Sequence, residues 1–207
     1  ANYSYRIKLG ENTQWLSFGI RAGLRNETFN ASGLENVDMN DPLYNMGNQS
    51  YWIPRFNFGV YYYSERAYLG VSSHNLVSID ERRKLDSDAG LKQHYFLNGG
   101  YVWDLNSSGS VKFKPSFLVK YQPSAPIQAD INAHFLFNDK LWVGVSYRTN
   151  AAVVGMVEYQ FTPRIRAGYA YDYTTTAMRQ FQGGSHEIML GYDFIAKISK
   201  FKHPRYF

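Results

Sequence analysis

The chain has 207 residues, enough for one domain with a sizeable core, and no cysteine, which excludes disulfides, thiolate metal sites and a cysteine nucleophile. It has no run of about 18 apolar residues, so no transmembrane helix is readable, although a transmembrane β-barrel with half-apolar strands remains open. The net charge is +5, and Lys197, Lys200, Lys202 and Arg205 place four of those charges after Phe194; the body is nearly neutral, which argues against nucleic acid as a partner.

The opening stretch, "ANYSYRIKLG", lacks the charged and apolar regions of a secretory leader, so we expect either that a leader has been removed or that the chain is part of a longer one. From there the sequence predicts strands with hardly a helix between them, over 2–9, 14–25, 55–64, 67–74, 93–104, 111–122, 127–137, 140–148, 151–161, 164–173 and 185–194. Most have the length of a tilted membrane strand.

The period-2 alternation is plain along the chain. In 16–24, Leu16, Phe18, Ile20, Ala22 and Leu24 alternate with Ser17, Gly19, Arg21 and Gly23. In 111–122, Val111, Phe113, Phe117 and Val119 oppose Lys112, Lys114, Ser116 and Lys120. Ile127, Ala129 and Ile131 oppose Gln128, Asp130 and Asn132, and Ile165, Ala167 and Tyr169 oppose Arg164, Arg166 and Gly168. In the last strand Ile188, Leu190, Tyr192 and Phe194 oppose Glu187, Met189, Gly191 and Asp193.

One face is therefore apolar and the other mixes charge with Gly and Ser. With 18 Tyr and 14 Phe, and Trp15, Tyr62, Trp103, Tyr121, Trp142, Tyr173 and Tyr192 near strand ends, the pattern predicts aromatic girdles at two membrane interfaces. Connections alternate between short (10–13, 64–66, 138–140, 162–164) and mostly longer (26–50, 75–92, 123–126, 174–184), apart from a tight turn at 149–150. That alternation fits periplasmic turns and outer loops.

The expected fold class is all-β, an antiparallel transmembrane β-barrel in the bacterial outer membrane, with residues 1–194 forming the barrel and 195–207 a basic, aromatic periplasmic tail. A single-chain barrel of this kind with both ends in the periplasm needs an even number of strands. Eleven are readable, so we expect either that N-terminal strands are missing or that the strand count is off by one.

Chemistry-bearing motifs are scarce. The five His have no ligand spacing, so no metal is expected. There is no G-x-S-x-G, and the Gly pairs at 99–100 and 183–184 lack the lysine and helix of a phosphate loop. No catalytic residue and no cofactor is predicted. The loop 26–50 carries Glu27, Glu35, Asp38 and Asp41 without a base, yet not at EF-hand spacing; it reads as a solvated loop. The candidates facing a lumen are Lys112, Lys114, Lys120, Asp130, Arg166, Glu187 and Asp193, expected mostly to pair with one another. In the tail, Pro204, Arg205, Tyr206 and Phe207 are candidates for docking a periplasmic partner.

The stretches "FGVYYYSERAYLGVSSHNL" (58–76), "HYFLNGGYVWDL" (94–105), "DINAHFLFNDKLWVGVSYR" (130–148) and above all "AGYAYDY" (167–173), "GSHEIMLGYDF" (184–194) and "PRYF" (204–207) resemble the PorP/SprF family of the type IX secretion system of Bacteroidota. The resemblance spans essentially the whole chain. Members usually begin with a further segment, and about three strands there would raise eleven to fourteen, making this chain the C-terminal part of a 14-stranded barrel.

The resemblance implies a non-enzymatic outer-membrane component of the secretion and gliding machinery, supporting export or surface anchoring of an adhesin-like protein. The implied partners are a secreted surface protein with a C-terminal sorting domain, periplasmic or cell-wall-linked secretion components, and outer-membrane lipid. The alternative left open is a general diffusion porin for small solutes.

Overall fold

A computed structural model of the chain describes residues 1–10, 13–29, 49–76, 92–123, 125–181 and 183–194. The expected tail, with Pro204, Arg205, Tyr206 and Phe207, lies outside the described residues, as do most of the loops 26–50 and 75–92.

The described residues form one antiparallel sheet. Its strands are β1 (Asn2–Leu9), β2 (Gln14–Phe29), β3 (Gln49–Tyr63), β4 (Ala67–His74), β5 (His94–Tyr101), β6 (Trp103–Asp104), β7 (Val111–Tyr121), β8 (Gln128–Phe137), β9 (Leu141–Arg148), β10 (Ala152–Gln160), β11 (Ile165–Thr174) and β12 (Ser185–Tyr192). Each pairs with its chain neighbour in the order β1-β2-β3-β4-β5-β7-β8-β9-β10-β11-β12. β6 continues β5 past Val102, against β7 in the same register, so the expected strand 93–104 is one line of chain.

Up-and-down order follows from the short connections. Between β8 and β9, Asn138 and Asp139 both take left-handed φ (51° and 53°) and the Lys140 amide donates to the Phe137 carbonyl at 3.0 Å. Two successive left-handed residues twist the chain as a hairpin requires, and Asn-Asp tolerates that conformation. This turn fixes the register in which Asp130 opposes Arg148.

The exposure of the two faces is the reverse of what water selects. Ile131 is 58% exposed, Val145 48% and Tyr147 49%, whereas Asp130 and Ser146 on the opposite face of the same strands are each 7% exposed. The polar face is covered and the apolar face open, as in a sheet that curls around its polar side. No helix of the described residues is long and apolar enough to cross a membrane. The short helix among the described residues is a 3-10 turn at Ala177–Gln180.

Two expectations are corrected. The hairpin of β2 and β3 is longer than the apolar stripe suggested, reaching Phe29 and starting at Gln49. Polar cross-strand contacts carry the extension: Asn26 Nδ2 donates to Ser50 Oγ at 2.9 Å, and Ser50 Oγ donates to Asn26 Oδ1 at 3.1 Å. Second, Trp15 and Trp142 are not in an outward girdle. Arg6 stacks on the Trp15 ring at 5.9 Å and Lys114 on the Trp142 ring at 5.9 Å, so both indoles lie on the charged face. Trp103 and Tyr121 are exposed on the apolar one.

Candidate functional site

The covered polar face is where side chains of chemical interest converge. Over β7–β11 its charges form a chain of alternating sign. Lys120 Nζ lies 3.0 Å from Asp130 Oδ2, Arg148 Nε 3.1 Å from Asp130 Oδ1, and Arg148 Nη1 3.8 Å from Asp172 Oδ2. Asp130 is the centre, its side chain 10% exposed against 33% and 36% for Lys120 and Arg148. A carboxylate so covered is held by two charge-assisted partners, which offset its desolvation.

A second group gathers at the short-turn end. Arg66 Nη2 lies 2.6 Å from Asp104 Oδ2, and Lys112 Nζ is 3.9 Å from Asp104 Oδ1 and 3.4 Å from Asp139 Oδ1. Lys112 also donates to the Gly109 carbonyl. The loop β6–β7 and the turn β8–β9 are thereby tied together.

Between these groups lies a layer of aromatic rings and one cation. Lys114 Nζ sits 5.7 Å from the Tyr68 ring centroid and 5.9 Å from that of Trp142, a cation–π sandwich. His134, directly opposite Lys114, meets Trp142 edge-on at 6.3 Å and places Nε2 2.9 Å from Met156 Sδ.

The local sequence explains how side chains reach past their nearest neighbour. His134, Gly144 and Met156 occupy one cross-strand row, and a Cβ on Gly144 would collide with the His134 ring. Tyr68, Gly100 and Ser116 form another such row; Tyr68 lies over Gly100 toward β7. Arg166 leans over Gly191 in the same manner. Each small residue lets a long side chain bridge toward the next strand, and the bridged side chains fill the covered face.

The sequence candidates separate accordingly. Lys112, Lys120 and Asp130 are in ion pairs, Lys114 is between aromatic rings, and Arg166 Nε lies 4.0 Å from Glu158 Oε1. Glu187 and Asp193 join no ion pair among the described residues; Glu187 is exposed on β12, and Asp193 lies just past it, its amide donating to the Arg164 carbonyl at 2.8 Å. The sequence reading left Tyr68, His134, Arg148 and Asp172 out of its lumen candidates and assigned Trp142 to an outward girdle. His134 and Asp172 share the parity of the named charges, which was the available signal. No group of three or more metal-ligating side chains occurs among the described residues.

The model of one known family, described as the type IX secretion system membrane protein PorP/SprF, matches residues 1–192. A search of the curated proteins finds no match.

Proposed function

The chain belongs to the PorP/SprF family of type IX secretion system membrane proteins, and on that premise we propose that it is a non-enzymatic β-barrel of the outer membrane that supports export or surface anchoring of a secreted adhesin-like protein. The observation that carries the membrane part is the reversed exposure of the two faces, with Ile131, Val145 and Tyr147 open while Asp130 and Ser146 are covered. Acyl chains are the medium in which an open apolar face and a covered charged face are both favourable.

In this reading Lys112, Lys114, Lys120, Asp130, Arg166, Glu187 and Asp193 face a lumen. The lumen wall from β4 to β9 is crowded by Tyr68, Lys114, His134 and Trp142, which favours an interaction and anchoring role over a diffusion porin. The cargo carries a C-terminal sorting domain. The tail 195–207 docks a periplasmic or cell-wall-linked component through Pro204, Arg205, Tyr206 and Phe207.

The test is a mild-detergent purification from native outer membrane with mass spectrometry of what accompanies the protein. A large secreted protein or a cell-wall-binding lipoprotein in near-equal amount supports the reading. A barrel that purifies alone and conducts ions steadily in planar bilayers replaces it with the porin. Truncation after Ile198 should release the periplasmic partner; its retention refutes the role given to the tail.

A further inference from the structure

The two sides of the polar face treat charge differently. On β7–β12 the cations have acid partners or aromatic contacts, as described above. On β1–β3 acids are nearly absent. No Asp or Glu occurs in β1, β3, β4 or β5, and in β2 only Glu27, near its far end. Lys8, Arg6, Arg21 and Arg55 nevertheless stand on this side, and none of the four forms an ion pair among the described residues. Among the described residues Arg6 meets the Tyr63 hydroxyl (3.4 Å) and the Trp15 ring, and Arg55 Nε is buried without a hydrogen-bond partner.

We propose that these four cations form a track for an extended polypeptide segment with carboxylates on alternate residues, laid parallel to the strands. The register supplies the spacing. Lys8 is level with Trp15, Arg6 with Ser17, Arg21 with its own position in β2, and Arg55 with Gly23. The levels therefore fall at residues 15, 17, 21 and 23 of one strand, separated by two, four and two residues. At about 3.3 Å per residue the cations recur at about 7 or 13 Å over roughly 26 Å. An extended peptide presents one face every two residues at the same rise, so its alternate carboxylates match these levels.

The gap in the cation series is a trough. Ser4, Gly19, Gly59 and Ser72 lie side by side across four strands and floor two connected hollows of 250 and 360 Å³. A Cβ on Gly19 would approach nothing closer than the Gly59 carbonyl at 4.0 Å, so the chain's own packing does not require glycine there. The floor is low where a ligand backbone would lie, and Asn2 and Asn57 at its upper rim offer amides to that backbone. A small anion would need one pocket of converging donors; the observed cations are strung along a line.

The identity of the occupant as a segment of the exported protein rests on the secretion reading above, whereas the track itself does not. The experiment uses the full chain in lipid nanodiscs and a labelled nonapeptide alternating Glu and Thr and beginning and ending on Glu, followed by fluorescence anisotropy. The expected result is binding that weakens steeply with salt, falls at least about tenfold in Arg21→Gln/Arg55→Gln, and largely survives in Arg21→Lys/Arg55→Lys. A peptide with the same five Glu in one block should bind more weakly. Equal binding of a Lys-Thr peptide, an unchanged Arg21→Gln/Arg55→Gln variant, or displacement by free glutamate at the same carboxylate concentration overturns the track, the last by reducing it to a simple anion site. In cells, normal export by Arg21→Gln/Arg55→Gln where deletion of the gene abolishes export removes the track alone. Normal export after deletion removes the secretion reading instead.

Discussion

Arg148 on β9 reaches over the neighbouring strand to Asp172 on β11, its Nη1 3.8 Å from Asp172 Oδ2, although β10 runs between them. Ala152, opposite Arg148 and 4% exposed, is the small residue it passes. The same guanidinium holds Asp130, so three strands are joined by ion pairs besides their backbone ladders.

Asp130→Asn should destabilise the barrel, because two cations then keep their partial burial and lose their shared carboxylate. Since both remain about one-third exposed, the loss is about 1–3 kcal/mol rather than the full cost of breaking a buried pair. Urea-dependent folding into vesicles measures it, and a double-mutant cycle with Arg148→Gln should show coupling between the two sites. Additive effects would separate Asp130 from Arg148.

Gly144→Ala should cost about 1–3 kcal/mol by forcing the His134 ring off its position and should break the contact between His134 and Met156. Ring chemical shifts of His134 report the displacement. Gly155→Ala, with nothing within 4 Å of its added Cβ, is the matched control and should be near neutral.

Leu190→Lys should cost about 2–4 kcal/mol if the position lies near the bilayer midplane, because Leu190 stands 81% exposed on the apolar face. Met189→Lys, one residue earlier on the other face, should stay within about 0.5 kcal/mol. Folding titrations in lipid decide between them, and equal penalties would contradict the assignment of faces.

Removing Trp142 and Tyr68 as alanines should loosen the layer around Lys114 and raise steady conductance in planar bilayers above the wild-type level. Conductance identical to wild type would mean that this layer does not obstruct the lumen.

Much of the fold was legible because period-2 alternation is a local signal. Ile188 and Leu190 opposite Glu187 and Met189 require only strand geometry to be sorted. The hairpin extension was not legible, since the apolar stripe stops at Leu24 and Asn26, Thr28 and Ser50 stabilise the rest by cross-strand hydrogen bonds, which depend on a pairing the sequence does not display. Trp15 misled because an indole near a strand end suits either face, although its parity with Ser17 and Arg21 indicated the charged one. The pairing of Asp130 with Arg148 follows from the tight turn at Asn138 and Asp139. Its diagonal contact with Lys120 needs the register across the longer connection between β7 and β8.

The β2–β3 hairpin also has a mechanical meaning. Among the described residues its backbone bonds to β1 and β4 lie at the near end, and the pairing of β2 with β3 runs on from Ala22 to Phe29, about 23 Å. Ladder bonds stand perpendicular to the strands. A load hung on the far end therefore pulls along the strand axes and stresses the anchoring ladders sideways, all bonds together, instead of peeling them open in turn.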